Sequence, residues 1–113
     1  MKYLLLMFHD ATEAPENSPE LYQAWMDYMQ EANAAGVMLA NHGVAPGASA
    51  TTLRVREGKA LITDGPFAET HEQLGGFSLL ECENLDEALR WAEKIPTARF
   101  GAIEIRPLWS PNT

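Results

Sequence analysis

Two capped helical segments, each placed between short apolar runs, restrict this chain more than any other feature of its sequence. The first helix is predicted to begin at Ser18, a capping residue followed by proline at the first helical position. It is predicted to end at Gly36, because glycine commonly closes helices in the left-handed conformation. The second is predicted to begin after Asn84, which opens a capping box with Glu87, and to stop before Pro96. Apolar runs of strand length precede and follow each helix, which indicates helices layered on a sheet.

Six strand segments complete the pattern, and two of them form an inserted hairpin. The hairpin spans about residues 51–63 and turns at Glu57-Gly58. The other strands are predicted at 3–8, 37–42, 77–83 and 103–105, and residues 9–17 are predicted to be a loop. Without the hairpin the order is β-α-β-β-α-β, so we predict an α+β fold of the ferredoxin-like type. Both helices are then right-handed crossovers that cover one face of an antiparallel sheet.

The first strand segment, Tyr3–Phe8, is apolar at every position, which indicates a strand that is covered on both faces. The helices can cover only one of these faces. We therefore expect a homodimer in which two copies pack their sheets face to face around a two-fold axis, a dimeric α+β-barrel. The 113 residues are expected to form a single domain, with a short C-terminal tail at 108–113.

Charge and composition exclude several classes of function. The net charge is −8, and no Lys or Arg lies between Tyr3 and Thr52. Nucleic-acid binding requires a basic surface, and binding to an anionic membrane surface does too, so we expect neither partner. No segment approaches the ~18 apolar residues that cross a bilayer, and the apolar start lacks a signal-peptide cleavage site, so we expect a cytoplasmic protein. The single cysteine, Cys82, lies in an apolar run and is expected to be a buried thiol.

The segment Thr63–Phe77 is the part of the chain richest in residues that form turns or end strands. Asp64 followed by Gly65 favours a turn, and Pro66 prevents the chain from continuing in a sheet. Gly75-Gly76 indicates either a second sharp bend or a close approach of the backbone to another segment. Such a loop is either a structural staple or the wall of a pocket, because rigidly held loops often carry function.

The predicted strand order brings polar residues to one rim of the sheet. The first two strands of the main sheet run parallel, so their C-terminal ends lie at the same edge, from which the hairpin leaves and to which the central loop returns. The residues expected at this rim are His9, Asp10, His42, Asp64, Glu69 and His71. Turn formation, strand ends and solvated loops also explain each of these residues without any functional role.

Within this group Asp64 and His42 are the candidate catalytic residues, because a carboxylate or a histidine can act as a general base. His9 and Glu69 are candidate ligand contacts, Trp25 and Phe67 are candidate walls of a pocket between sheet and helices, and Arg54 is a candidate contact for an anionic ligand. The spacing of the histidines and carboxylates matches no metal motif, so we expect neither a metal nor another cofactor.

The run Asp64-Gly65-Pro66-Phe67, continued by Glu72-Gln73-Leu74-Gly75-Gly76-Phe77, resembles the DGPF group of YCII-related proteins. Met1–Leu6, Ala35-Gly36-Val37 and Leu85–Pro96 extend the similarity over nearly the whole chain. The resemblance implies a dimeric α+β-barrel and an unassigned biochemical function. It also implies a regulatory or stress context, since such genes are often found beside extracytoplasmic-function sigma factor genes.

The chain departs from that resemblance in its histidines. YCII proteins proper resemble enzymes with a His–Asp pair whose histidine lies on the first helix, where this chain has Trp25 and Met26. That pair is not carried over. His71 stands where the DGPF group usually has lysine, and His42 where an acidic residue is common, so the shared Asp64 is the better catalytic candidate.

Three functions fit this sequence. One is a small enzyme that transfers protons on a small, often aromatic, molecule, as the resemblance to dimeric α+β-barrel enzymes implies. Another is a non-catalytic dimeric module that binds a small ligand or docks a regulatory protein. The third is a structural dimer with an inert rim.

Overall fold

The computed structural model describes residues 1–10 and 18–111. Its helices and strands, in chain order, are β1 (Lys2–Asp10), α1 (Pro19–Ala34), β2 (Met38–Gly43), β3 (Thr51–Arg56), β4 (Lys59–Asp64), β5 (Glu72–Glu81), α2 (Leu85–Glu93) and β6 (Ala102–Pro107). Four strands form an antiparallel sheet in the order β2-β5-β1-β6, and β3 and β4 form a separate two-stranded sheet. The predicted ferredoxin-like α+β fold with an inserted hairpin is confirmed.

The helix ends lie where the capping residues predict them. Ser18 accepts a hydrogen bond from the Leu21 amide at 3.0 Å, and Asn84 accepts one from the Glu87 amide at 3.0 Å. Gly36 adopts a φ of 74°, the left-handed conformation that glycine tolerates at a helix end. Helix α2 ends at Glu93, before Pro96, which begins a 3₁₀ turn instead of ending the helix directly.

Two strands extend beyond their predicted limits because they pair with each other. His9 and Asp10 were expected in a loop, but they continue β1 and pair with Gln73 and Glu72. Strand β5 therefore begins at Glu72 instead of Phe77, and Gly75-Gly76 lies within it. Residues 11–17 of the predicted loop, and the last two residues of the predicted tail, lie outside the described residues.

The core lies between the two helices and one face of the sheet. Alternate residues of β1, namely Tyr3, Leu5 and Met7, turn toward the helices and are buried. Ala32 of α1 and Ala88 of α2 are fully buried, and their small side chains let both helices approach the sheet closely. Cys82 is buried as predicted, and burial raises the pKa of its thiol, which disfavours the reactive thiolate.

Tyr28 of α1 is the one core residue whose polar group lacks a hydrogen bond within the described part of the chain. Its ring makes edge contacts with Trp25 and Trp91 at centroid distances of 5.9 and 6.2 Å. Its hydroxyl is buried without a partner among the described residues. Burial, followed by the nearby Cys82 and Glu31, raises the pKa of Tyr28 to about 12.

The opposite side of the sheet, here called the open face, is apolar and half-buried. It consists of the side chains that alternate with the core residues, namely Leu4, Leu6, Phe8, Phe77 and Leu79. Neither α1 nor α2 packs on these residues, and none of them joins the core cluster. The chain measures 48 × 42 × 18 Å, and its radius of gyration of 16.1 Å exceeds the roughly 13 Å expected for a compact chain of this length.

The hairpin turns at Glu57 and Gly58, with φ values of 53° and 75°. Two consecutive left-handed residues are what a two-residue type I′ turn requires, so the predicted turn is confirmed. The hairpin runs one residue further than predicted, to Asp64. No helix in the described ranges is long and apolar enough to cross a membrane.

Candidate functional site

Gly75 and Gly76 lie where a neighbouring ring and a neighbouring strand closely approach the backbone of β5. Strand β5 bulges between Leu74 and Gly76, where β1 steps from Met7 to Phe8. A Cβ atom on Gly75 would lie 2.6 Å from Cε1 of the His9 ring. A Cβ atom on Gly76 would lie 2.8 Å from the carbonyl oxygen of His42. The glycines therefore serve a close approach, the second of the two alternatives that the sequence left open.

A cleft of about 510 Å³ lies beside these glycines, between α1 and the sheet, and we call it the helix-side cleft. Its apolar walls are Met7, Leu21 and Trp25, and its polar side chains are His9, Asn41 and Thr97. Gly43, Gly75 and Gly76 form a floor without side chains. An apolar cleft with a few convergent polar groups is the usual form of a small-molecule site.

Asn41 and Ser78 were not identified from the sequence, although they shape this cleft. Ser78 is fully buried and donates a hydrogen bond from Oγ to Oδ1 of Asn41 at 2.5 Å. The bond satisfies the hydroxyl and fixes the Asn41 amide at the cleft wall. The sequence feature that could have pointed to this bond is Ser78 itself, a serine within the apolar stretch Phe77–Leu80. Its partner lies 37 residues away and is found only through the register of β2 and β5.

His42 and His9 lie on opposite faces of the sheet. His42 pairs with Phe77 across the strands, and their ring centroids are 5.7 Å apart. Because Ser78 turns toward the helices, Phe77 and the residue opposite it turn toward the open face. His42 thus contributes its backbone to the helix-side cleft, whereas its ring packs on the other side.

The loop that follows β4 is tied to the base of the hairpin. Gly65 donates its amide to the Ala50 carbonyl at 2.7 Å, and the Thr52 hydroxyl donates to the Gly65 carbonyl at 2.8 Å. Gly65 has a φ of 103°, a conformation that favours glycine. Asp64 is exposed, and it pairs with Thr51 at the end of the ladder. These bonds form the staple geometry that was one of the two predicted roles.

Phe67 and Arg54 come together beside this staple. The Arg54 guanidinium lies over the Phe67 ring at 5.4 Å, although Phe67 is 76% exposed. Phe67 also lines a second cleft of about 830 Å³, the hairpin-side cleft, whose large apolar members are Phe8, Val44, Leu53, Phe67 and Leu74. Asp64, Glu69 and Arg54 line neither cleft.

The predicted rim is assembled only in part. Nε2 of His71 lies 3.0 Å from Oδ2 of Asp10, so these two residues meet. His71 is 92% exposed, whereas the Asp10 carboxylate is largely covered. Within residues 1–10 and 18–111, no three His, Cys, Asp or Glu side chains lie together in a way that could hold a metal ion.

Replacing Gly75 by alanine is expected to displace the His9 ring, because the new methyl group would lie 2.6 and 2.8 Å from its Cε1 and Nδ1 atoms. The ring can move at modest cost, so we expect a loss of about 1 kcal/mol in unfolding free energy. The imidazole NMR signals of His9 should shift, whereas those of His71 stay in place. Gly43→Ala is the matched control, since its Cβ atom would meet only the Gly75 carbonyl oxygen at 3.7 Å. Unchanged His9 signals in Gly75→Ala would contradict this packing.

Comparisons with known proteins agree with the fold. The family model of the YCII-related domain matches residues 1–111. An uncharacterised protein of Rhizobium meliloti is 49% identical over 65 residues, which cover 56% of this chain and 52% of that relative. The match thus spans about half the length of that relative.

A solved structure with the same fold is the 5-chloro-2-hydroxyhydroquinone dehydrochlorinase of Burkholderia phenoliruptrix AC1100 in complex with 2,5-dihydroxybenzoquinone. It superposes with a TM-score of 0.58 over 99% of this chain and 97% of that chain, at 16% sequence identity. At this identity the similarity concerns the fold alone.

Proposed function

We propose that this chain, which belongs to the family of YCII-related domains, is a small homodimeric enzyme that transfers a proton on a planar molecule bound in the helix-side cleft. The observation that carries the proposal is the His9 imidazole at the wall of this cleft, packed directly against the backbone of Gly75. Histidine is the side chain whose ordinary pKa lies closest to neutral pH, which suits a general base.

The shape of the cleft supports a planar ligand. Gly75 and Gly76 add no side chains to the floor of the cleft, and the Trp25 indole supplies an aromatic wall. Asn41, Thr97 and His9 provide hydrogen-bonding groups for hydroxyl or oxo substituents. The structural neighbour that was solved with 2,5-dihydroxybenzoquinone is a dehydrochlorinase, and a substituted ring of that kind is the ligand class we propose here.

The catalytic roles predicted for Asp64 and His42 remain predictions. In our proposal His9 is the general base, because it is the histidine whose ring is at the cleft. His42 turns to the open face, and Asp64 lies at the hairpin base. His42 would therefore act only from the side of the sheet that we assign to the dimer interface, and Asp64 only from the hairpin base.

The open face supports the homodimer. Its large side chains, Leu6, Phe77 and Leu79 among them, form an apolar surface that neither helix covers. A second copy presents the same surface, so two open faces are self-complementary about a two-fold axis. Sedimentation equilibrium of the parent protein tests this part directly, and a monomer at micromolar concentration would contradict it.

Titration with 2,5-dihydroxybenzoquinone tests the site. The parent protein should be stabilised against heat by the probe, because a ligand that binds only the folded state raises its stability. His9→Ala should bind at least about 10-fold more weakly, a change of about 1.4 kcal/mol. His71→Ala, which removes an exposed histidine outside the cleft, is the matched control and should bind as the parent does. Equal affinity of His9→Ala and the parent for the probe would contradict the proposed site.

A second candidate is a non-catalytic module that binds the same class of ligand, in line with the regulatory context that the family resemblance implies. It is favoured by one observation: among the described residues, no carboxylate forms an ion pair with His9, as a catalytic pair would. Solvent deuterium separates the two candidates. An enzyme should accelerate exchange of the ring hydrogens of the bound probe in heavy water, and His9→Ala should lose this acceleration. Binding without acceleration identifies the module.

A further inference from the structure

We infer that the β3–β4 hairpin is an arm that packs one of its sides on a second copy of this chain. The register pairs Leu53 with Ile62 and Val55 with Ala60, which puts all four side chains on the same side of the hairpin. Leu53, Val55 and Ile62 are 60%, 59% and 70% exposed. Three large apolar side chains on one side of one ribbon form a contiguous exposed patch.

Within residues 1–10 and 18–111, few contacts outside the hairpin itself hold it in place. An isolated two-stranded hairpin is marginally stable in water. Among the described elements, neither β3 nor β4 packs extensively on any helix or on the main sheet. Its hydrogen bonds to the following loop lie at its base, at Ala50, Thr52 and Gly65, and they leave the apolar side uncovered. The described part of the chain therefore leaves that side free to be covered by a partner.

The arm continues the surface on which the proposed homodimer rests. Leu53 lines the hairpin-side cleft together with Phe8 and Leu74. Phe8 and Leu74 pair with each other across β1 and β5, and they turn toward the open face. One apolar surface thus runs from the centre of the sheet, through the hairpin-side cleft, onto the arm. This continuity selects a second copy as the occupant, and the inference depends on the homodimer of the proposed function.

The two sides of the hairpin differ in charge. Arg54, Arg56 and Lys59 are three of the eight basic residues of the chain, and all lie on the hairpin. The register places them on the side opposite Leu53 and Ile62. These charges keep that other side of the hairpin solvated, so the apolar side is the one left to be covered.

The double variant Leu53→Ser/Ile62→Ser tests the arm by sedimentation equilibrium. Removing two exposed apolar anchors should raise the dimer dissociation constant at least about 10-fold. Leu61→Ser is the matched control, since Leu61 is 50% exposed but lies on the other side of the hairpin, and its dimer should dissociate as the parent dimer does. Circular dichroism of each variant verifies that the fold is retained.

Hydrogen exchange on the parent protein gives an independent test that needs no variant. Backbone amides of residues 51–64 should be protected above the dimer dissociation constant and exchange rapidly below it. A parent that dimerises, together with an unchanged double variant or hairpin protection that does not depend on concentration, overturns the arm and leaves the homodimer intact. A monomeric parent overturns both the arm and the homodimer. The ligand site in the helix-side cleft is tested separately, by the probe titration with His9→Ala.

Discussion

Gly101→Ala is expected to destabilise the protein by about 3 kcal/mol, the largest effect of any glycine substitution in this fold. A Cβ atom on Gly101 would lie 1.9 Å from the carbonyl oxygen of Phe8 and 3.0 Å from Cα of His9. Both are backbone atoms of the central strand β1, so no side-chain rotation relieves the overlap. Relief requires β1 and β6 to separate where Phe8 pairs with Ala102.

Urea denaturation measures this effect as a shift of the unfolding midpoint at constant slope. Gly43→Ala is again the control, because its Cβ atom would make only an ordinary contact at 3.7 Å, and we expect its cost to stay below about 1 kcal/mol. A Gly101→Ala protein within about 0.5 kcal/mol of the parent would contradict the close packing of these two strands. Since His9 follows Phe8 in the chain, the variant should also bind the quinone probe more weakly.

Tyr28→Phe is expected to remove most of a loss of stability that the parent suffers at alkaline pH. Burial raises the pKa of Tyr28 to about 12, compared with 10.0 for an ordinary tyrosine. Between these values the unfolded chain has released its phenolic proton and the folded chain still holds it. The unfolding free energy therefore falls as pH rises, and the loss approaches about 2.7 kcal/mol once the pH is well above both values. Phenylalanine has no proton to release, and it retains the edge contacts with Trp25 and Trp91.

Denaturation at pH 7 and at several values from pH 9.5 to 11.5 measures this difference between the two proteins. At pH 7 the variant should be as stable as the parent or more so, because the Tyr28 hydroxyl has no hydrogen-bond partner among the described residues. The raised pKa of the Cys82 thiol affects both proteins alike and cancels in the comparison. Tyr22→Phe, at a position that is 67% exposed, should follow the parent at every pH. An alkaline loss equal in Tyr28→Phe and the parent would show that Tyr28 titrates normally.

Local chemistry in the sequence was sufficient to predict the elements of the fold. Ser18, Asn84 and Gly36 act within a few residues of themselves, so their capping roles could be predicted directly. The same holds for the turn at Glu57-Gly58. The limits of β1 and β5 could not be predicted this way. His9 and Asp10 are polar, and only pairing with residues more than 60 positions away extends the strand through them.

The candidate site could be predicted only in part, for a related reason. The sequence placed all three histidines at one rim because strand ends meet there. Which face of the sheet each ring occupies depends on register, and a shift of one residue exchanges the faces. His9 and His42 therefore lie on opposite faces, with a bulge at Gly75 beside His9. The bond between Ser78 and Asn41 likewise required knowledge of which strands are neighbours.

The proposed site is tested most directly by following the ring signals of the three histidines by NMR while the same quinone probe is added. The Cε1–H signal of His9 is expected to shift with saturation, because its ring is at the helix-side cleft. The signals of His42, which packs on Phe77, and of His71, which is exposed, should remain in place. A saturable shift of the His42 signal with a stationary His9 signal would place the site on the open face and contradict a site in the helix-side cleft.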